Sequence, residues 1–313
     1  MTAFSVGSSQ VEKIHELDLN GFAATSLLPG LDPQVPHRHP EWVPPGTYDA
    51  EGHALLSVHT WLVRHKGQVI LVDTGAGNGK KRPGLTVLDQ LDTPYLARLA
   101  AAGIRPADVN YILLTHIHAD HVGWNKSKTD EGWVPTFPNA TVICSALEWR
   151  YGAALVANDE TMIRAIRKEA GIGEPIRVPV SGVFEDSMLP LPAGNRLRLV
   201  EVDGEEVLPG IRFISTDGHS IDHAAIQISS QGEVGIFGGD VLHHPLEIHD
   251  PELVSLFCEF PDAARRAHHV LLKHLAETRA LYFSSHFTLS SAGHVTANQA
   301  SYKWTFAELD TTS

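Results

Sequence analysis

Cysteine is scarce in this sequence, which has only Cys144 and Cys258 among 313 residues. Two cysteines cannot build the disulfide framework of a small secreted domain, so we expect a reducing, cytoplasmic location. Basic residues are also few: 24 Lys and Arg stand against 37 Asp and Glu, which gives a formal net charge of −13. Because phosphate binding needs clustered positive charge, this balance argues against a general nucleic-acid partner.

Long apolar runs are also missing, and the N-terminal stretch lacks a basic start followed by an apolar segment. We therefore expect no membrane partner and no secretory signal. The content of 43% hydrophobic and 19% charged residues is typical of a folded globular chain. One residue type is abundant: the sequence has 19 His. Surface composition does not require that number, whereas a metal site would explain it.

The apolar pattern predicts strands followed by helices in each half of the chain. Candidate strands lie at 55–63, 68–73, 111–115, 141–144, 196–202, 211–215, 224–229, 234–237 and 280–285. Candidate helices follow Thr93-Pro94, follow Ser145 and Glu148 as a capping pair, span 158–170, begin at Asp262, and lie near Asn298. This order predicts an α/β sandwich of two sheets with helices outside.

We expect a single domain over residues 1–313. It would consist of an N-terminal extension (1–54), a catalytic core (55–290) and a C-terminal segment (291–313). The extension contains a proline-rich stretch, Leu28 to Gly52, which cannot form a regular helix or a central strand. That stretch is either a surface connection, a dimer contact or a lid over a site.

Candidate metal ligands are concentrated in the segment LLTHIHADHVGW, directly after a predicted strand. His116, His118, Asp120 and His121 fall within six positions there. Alternate residues of a strand face opposite sides, so only a loop that turns after the strand could aim all four at one point. Imidazole and carboxylate groups are suitable ligands for zinc and related divalent ions. The segment therefore predicts a metal site.

Three later residues have the same placement at the end of a predicted strand. They are His219 in STDGHSIDH, Asp240 in IFGGD and His286 in LYFSSHF. Because strand ends can gather at one edge of a sheet sandwich, we expect these side chains to converge with the earlier four.

The ordered set of motifs resembles the metallo-β-lactamase-fold hydrolases. The matching motifs are His116-x-His118-x-Asp120-His121, Gly218-His219, Gly239-Asp240, the late His286, and Asp73-Thr74-Gly75 as a further family feature. The resemblance runs from about Leu55 to His286. It implies an αβ/βα four-layer sandwich of two mixed β-sheets, with a two-metal site at one edge.

The resemblance also implies a role for each residue. The ligands of the first ion would be His116, His118 and His219. The ligands of the second ion would be Asp120, His121 and His286, and Asp240 would bridge the two ions. Asp73 would orient a ligand imidazole through its free ring nitrogen, stabilise its own turn, or do both. The family usually holds two zinc ions, and iron, manganese or cobalt also occur. A metal-bridging hydroxide would attack the substrate, and Asp120 could accept a proton.

The position three residues after the bridging Asp separates branches of the family. Acyl-homoserine lactonases commonly carry Tyr there, whereas this sequence has His243. Together with the closing HF…GHV…YKWTF stretch, His243 looks more like the methyl parathion hydrolase branch, whose members cleave aryl phosphotriesters, lactones or esters. His243 could donate a hydrogen bond to substrate or leaving group, or could lie behind the site or at the surface. His223 is expected to pack near the site without being a ligand.

Three aromatic residues, Trp42, Trp124 and Phe287, are candidates for an apolar cleft, although each could belong to the core instead. Together they favour a small apolar or aromatic substrate. The leading hypothesis is a dinuclear metallohydrolase of lactones, carboxyl esters or aryl phosphotriesters. The alternatives are a hydroxyacylglutathione-type thioester hydrolase and a non-hydrolytic metal-binding or redox member of the fold. A homodimer is expected by analogy alone.

Overall fold

Two large sheets form the centre of the computed structural model, which describes residues 3–189, 196–298 and 301–308. The strands are β1 (Phe4–Val6), β2 (Ser9–Ala23), β3 (His53–His65), β4 (Gln68–Val72), β5 (Tyr111–Leu113), β6 (Lys126–Thr129), β7 (Gly132–Pro135), β8 (Thr141–Ser145), β9 (Leu197–Val200), β10 (Glu206–Leu208), β11 (Ile211–Ser215), β12 (Ala224–Ser230), β13 (Glu233–Phe237), β14 (Leu281–Phe283), β15 (Ala292–Asn298) and β16 (Ser301–Phe306). The first sheet has the order β1-β2-β3-β4-β5-β8-β9, the second runs β10 to β16, and β6 and β7 form a separate hairpin.

Helices cover the outer faces of both sheets. They are α1 (Ala24–Leu27), α2 (Val35–Arg38), α3 (Tyr95–Ala101), α4 (Ala146–Ala157), α5 (Glu160–Ala170), α6 (Leu246–His249) and α7 (Pro261–Thr278). Short 3₁₀ turns lie at Pro40–Trp42, Thr86–Leu88, Pro106–Asp108, Gly123–Asn125 and Gly239–Val241, and a π turn lies at Phe184–Met188. Among the described residues, no helix is both long and apolar enough to cross a membrane.

The alternation of side chains along the strands builds the layers. In β3, Trp61 and Val63 face the space between the sheets, where they pack with Phe237 and Phe283 of the second sheet. The intervening Leu62 faces the other way, into the core formed with α3. A third core lies between the second sheet and α7. The predicted sandwich of two mixed sheets with helices outside is therefore confirmed.

The two ends of the chain differ from the predictions. Residues 4–23, which were expected to be an extension, form β1 and β2, and β2 pairs along β3 in the first sheet. The helix predicted near Asn298 is wrong: β15 and β16 pair there as antiparallel strands at the edge of the second sheet. Val295 lies opposite Trp304, and both side chains are buried. The alternating burial of such residues suits a strand that is covered on one face.

Ser145 begins α4 as predicted, since its side-chain oxygen accepts hydrogen bonds from the amides of Leu147 and Glu148. Glu148 does not complete the capping pair. Its buried carboxylate instead accepts hydrogen bonds from the Ser220 hydroxyl and the Asp222 amide. This contact joins α4 to the loop between β11 and β12, which carries His219.

Candidate metal centre

The centre lies where strand ends of the two sheets meet. The parallel strands β4 and β5 end at Val72 and Leu113, and the turns after them carry Asp73 and the segment 116–121. In the second sheet, β13 and β14 are also parallel neighbours, and the turns after them carry Asp240 and His286. Carboxyl ends of parallel neighbours lie at the same edge, which explains how distant segments reach one point.

The structure brings all seven predicted ligands together. Four overlapping groups, which contain these seven residues and also His243, each have candidate ligand atoms within 4.8 Å of one another: His116, His118 and His219; His116, His121 and Asp240; Asp120, His121 and His286; and His219, Asp240 and His243. The first group is the set predicted for one ion, and the third is the set predicted for the other.

Asp240 lies between the two sets, and its two oxygens face different imidazoles. Oδ1 lies 3.0 Å from the Nε2 atoms of both His121 and His286. Oδ2 lies 3.2 Å from His219 Nε2 and 4.0 Å from His116 Nε2. This is the arrangement that a bridging carboxylate requires. Burial would raise the pKa of Asp240, but the surrounding imidazoles hold it well below its usual range.

The donor atoms fit a pair of divalent cations. His116 Nε2, His121 Nε2 and Asp240 Oδ1 are buried. Although Asp240 Oδ1 lies 3.0 Å from two imidazole nitrogens, none of the three atoms makes a hydrogen bond of acceptable geometry among the described residues. Buried polar atoms without partners are costly, because they have lost water and gained nothing. Burial, with the neighbouring imidazoles, also lowers the pKa of His116 well below its usual value, so this ring is neutral and can act as a ligand. Nitrogen and carboxylate donors in this number suit zinc and similar ions.

Asp73 holds the early ligand segment in place. Its Oδ2 lies 2.8 Å from His121 Nδ1 and accepts a hydrogen bond from the Thr115 hydroxyl, while its Oδ1 accepts one from the Thr115 amide. The Asp73–His121 contact leaves His121 Nε2 directed at Asp240. A carboxylate on the far nitrogen of a ligand imidazole fixes both its tautomer and its orientation. The structure thus places Asp73 where both of its predicted roles are compatible.

His223 packs behind the centre, as its predicted position suggests. Its Nε2 accepts a hydrogen bond from the Asp240 amide at 3.0 Å, and its Nδ1 lies 2.9 Å from the side-chain oxygen of Thr216, which directly follows β11. Gly239 has a φ of +55°, and a Cβ there would lie 2.5 Å from His223 Nε2. Glycine is therefore required for the turn that presents Asp240.

His243 faces the cluster from the turn after β13. Its Nε2 lies 3.3 Å from Asp240 Oδ2, and its ring stacks on His286 with centroids 5.4 Å apart. Its amide donates a 2.6 Å hydrogen bond to Glu247, which fixes the backbone. Neither ring nitrogen of His243 has a hydrogen-bond partner among the described residues. His243 thus lies beside the predicted ligands and lines the cavity above them.

Sequence reasoning missed two buried carboxylates near the centre. Glu259 Oε1 lies 2.8 Å from His118 Nε2. Glu16 accepts hydrogen bonds from the amides of Ala76 and Gly77, just beyond the Asp73 turn. Neither residue belongs to a motif with a recognisable spacing, so the sequence offered no signal for them.

The prediction that three aromatic residues line the substrate cleft is wrong. Trp42 stacks between His39 and His249, away from the cavity. Trp124 stacks on Tyr95 and donates its indole N–H to Glu16.

Phe287 is fully buried and packs edge-on against Trp304, 5.3 Å between centroids. Trp124 and Phe287 therefore complete a core, whereas Trp42 is partly buried and packs at its edge. Proximity to a ligand in sequence did not set the direction of these side chains.

A cavity of about 370 Å³ opens above the predicted ligands. Asp120, His118, His219, Asp240, His243 and His286 line its floor, and most of its wall is aliphatic or aromatic: Leu19, Phe22, Leu56, Leu85, Val87, Leu88, Val178, Val180, Leu256 and Phe257. Arg177 also lines the cavity. None of the lining residues comes from the stretch 28–52. An apolar wall over a polar floor is typical of a small-molecule site.

A family model supports the same interpretation as the fold and the site. The chain belongs to the metallo-beta-lactamase superfamily, whose model matches residues 53–286. The fold and the grouping of the candidate ligands agree with membership of this superfamily.

Individual relatives place the chain near enzymes with different substrates. It is 30% identical over 192 residues to a ribonuclease Z of Mycobacterium avium, covering 58% of this chain and 61% of that protein. It is 38% identical over 60 residues to the N-acyl homoserine lactonase AttM of Azorhizobium caulinodans, covering 19% of each. The chain thus spans about three fifths, or less, of these relatives. It is similar in fold to the dizinc quorum-quenching lactonase AidC, with a TM-score of 0.73, 20% identity, and coverage of 98% and 97%.

Proposed function

We propose that this protein is a dinuclear metallohydrolase that opens lactones or cleaves carboxyl esters bearing an apolar group. The observation that carries the proposal is the cavity itself: candidate ligands for two ions form its floor, and apolar side chains form its wall. Lactones and esters combine one polar reacting centre with an apolar remainder, which matches this division. The lactonases among the relatives support the same class.

Two divalent ions, which we propose to be zinc, would supply an activated water and a Lewis acid for the substrate oxygen. The chain's own residues would set the geometry. The two sets of imidazoles and Asp240 would hold the ions side by side. Asp120 lines the cavity and lies 3.7 Å from His121 Nε2 and 3.6 Å from His286 Nε2. In this proposal, its carboxylate would accept a proton from the activated water.

His243 is our candidate for a second contact to the substrate. Its ring nitrogens have no hydrogen-bond partner in the described part of the chain, and the ring lines the cavity beside Asp240, where it would donate a hydrogen bond to the leaving group. The aliphatic wall, including Leu85 and Val180, would exclude water and bind the apolar part of the substrate. Loss of this wall would weaken substrate binding while leaving metal binding unchanged.

Aryl phosphotriesters are a second candidate substrate class. The observation that favours them is His243 itself, since the sequence departs here from the Tyr that is common in homoserine lactonases. Phe22 and Phe257 in the cavity wall could also pack against an aryl leaving group. A phosphoryl centre would use the same floor of ligands as a carbonyl centre.

The decisive experiment is a substrate panel run with metal content measured on the same sample. The panel should contain acyl lactones of increasing chain length, p-nitrophenyl esters and an aryl phosphotriester. We expect two metal ions per chain and turnover of lactones or esters that improves with chain length. His116→Ala should abolish turnover, whereas His294→Ala, at an exposed position of β15, should not. Turnover that survives His116→Ala would exclude the metal mechanism.

Three further predictions concern the whole chain. We propose a single domain, because both sheets contribute ligands to one centre; limited proteolysis should then give no stable fragment. We propose a cytoplasmic location, which cell fractionation would test. We propose a homodimer, which light scattering on the purified protein would test.

A further inference from the structure

We propose that Glu259 is a positioning residue that holds His118 in the orientation needed to bind the first metal ion. This inference rests on the two-metal centre of the proposed function. Glu259 Oε1 lies 2.8 Å from His118 Nε2, on the outer side of the ring. The other ring nitrogen, Nδ1, faces the centre and lies 2.8 Å from His219 Nε2. His118 would therefore bind through Nδ1 and donate its Nε2 proton to Glu259.

The backbone of Glu259 is fixed from two sides. Its amide donates a hydrogen bond to the carbonyl of His219, another predicted ligand of the same ion, and the next amide, that of Phe260, donates to the Gly218 carbonyl. Its own carbonyl accepts a hydrogen bond from the Ile176 amide. The carboxylate thus projects from a rigid point, and it can orient His118 without reorganising.

Burial of the Glu259 carboxylate is unfavourable for folding unless contacts compensate for the loss of water. Glu259 is 1% exposed, and its Oε2 atom has no hydrogen-bond partner in the described part of the chain. His118 is the group that forms an ion pair with it there. A buried carboxylate with an unsatisfied oxygen destabilises the fold, because desolvation of the charge exceeds what one contact returns. A metal ion on the far side of His118 would strengthen that contact.

Glu259 and Asp73 make equivalent contacts to imidazoles that are predicted to bind different ions. Asp73 contacts His121, which is predicted to bind the second ion, whereas Glu259 contacts His118, which is predicted to bind the first. Each carboxylate would make its ligand ring a better electron donor and restrict its rotation. Removal of one carboxylate should therefore lower the affinity for one ion selectively. A residue with a purely structural role would instead weaken both ions or neither.

The test measures zinc affinity of the full chain by competition with a chromophoric chelator. Glu259→Gln keeps the shape of the side chain and removes its charge. We expect one of the two zinc ions to bind 10- to 100-fold more weakly, with the other unchanged. Asp73→Asn should lower the affinity for the other zinc ion. Glu252→Gln is the matched control, since Glu252 lies in the same segment but its carboxylate is exposed and contacts Arg265 and His269.

Equal zinc affinities in Glu259→Gln and the wild type would overturn the proposal, as would equal weakening of both ions. If Glu259→Gln does not fold, nitrogen-15 NMR of histidine in the zinc-loaded wild type decides the question. We expect His118 to carry an exchange-protected proton on Nε2, and a metal-bound Nε2 would refute the assignment. Failure of the wild type to bind two ions would instead contradict the proposed function, so the two failures are distinguishable.

Discussion

Replacing Glu16 with alanine should destabilise the protein more than any change at an exposed residue of the same strand. The Glu16 carboxylate lies 2% exposed beneath the turn that follows Asp73. It accepts hydrogen bonds from the Ala76 amide at 2.7 Å, the Gly77 amide at 3.1 Å and the Trp124 indole at 2.7 Å, besides one from the Thr93 hydroxyl at 3.2 Å. One side chain of β2 thus joins the loop after Asp73, the turn that contains Trp124 and the residue Thr93 before α3.

The magnitude follows from the donors that the substitution would orphan. Each buried donor left without a partner costs about 1–3 kcal/mol. Two amides and one indole lose their acceptor, whereas the Thr93 hydroxyl keeps Asn78 Oδ1 at 3.2 Å, so the gross cost is about 3–9 kcal/mol. Part of this gross cost is offset, because removal of Glu16 also removes the unfavourable burial of its carboxylate, which raises the pKa of Glu16. Water entering the vacated space recovers more, so we expect a net loss of about 3–5 kcal/mol in the free energy of unfolding.

The assay is urea unfolding of Glu16→Ala and the wild type, each with zinc and after treatment with a chelator. Asp18→Ala is the control, because Asp18 lies on the same strand with a 60% exposed side chain, and its loss should cost little. The turn loosened in Glu16→Ala also carries Asp73, so zinc should bind more weakly as well. A Glu16→Ala protein within about 1 kcal/mol of the wild type would refute the reasoning.

Three other substitutions have definite expected outcomes. Asp186→Ala leaves the buried cations Lys80 and Arg82 without their carboxylate, and it should lower the free energy of unfolding by about 3–5 kcal/mol in urea. A loss no larger than that from breaking an exposed ion pair would contradict this. Burial raises the pKa of Asp222 to about 7 from 3.8, so the folded state keeps a proton that the unfolded chain releases. Wild-type stability should therefore fall from about pH 4 to 7 relative to Asp222→Asn, and parallel pH curves would refute this. Phe257→Ala should raise KM for long-chain substrates and leave zinc affinity unchanged.

The candidate ligands could be predicted from sequence because each follows the end of a strand in a short motif. His116, Asp240 and His286 needed only local patterns and the rule that parallel strand ends share an edge. Glu16 and Glu259 could not be found that way. Their contacts to Ala76 and His118 join residues 60 and 141 positions apart, and neither carboxylate belongs to a local pattern.

Side-chain direction was the harder part of the prediction. Trp124 follows the ligand His121 by three residues, yet its ring turns toward Tyr95 in the core. The residues that do line the cavity, such as Leu19 and Val180, come from segments without any motif. The closing strands were missed because the packing of Val295 and Trp304 in the core beneath α7, and not local propensity, decides their conformation.

Substrate class cannot follow from the metal ligands alone, since a ribonuclease Z and a homoserine lactonase both resemble this chain. The cavity wall and the charge are what distinguish these substrates. An RNA chain needs cations along its backbone, whereas the chain has a net charge of −13 and its cavity wall presents Arg177 among aliphatic side chains.

We therefore predict no RNA cleavage and no RNA binding by the zinc-loaded protein at roughly physiological salt, measured with a labelled transfer-RNA precursor by gel shift. RNA binding that weakens steeply with added salt, together with RNA cleavage that is lost in His116→Ala, would contradict the prediction and show that the protein has a basic surface for RNA. The same preparation must hydrolyse a lactone or ester, because an inactive sample would make the absence of cleavage uninformative.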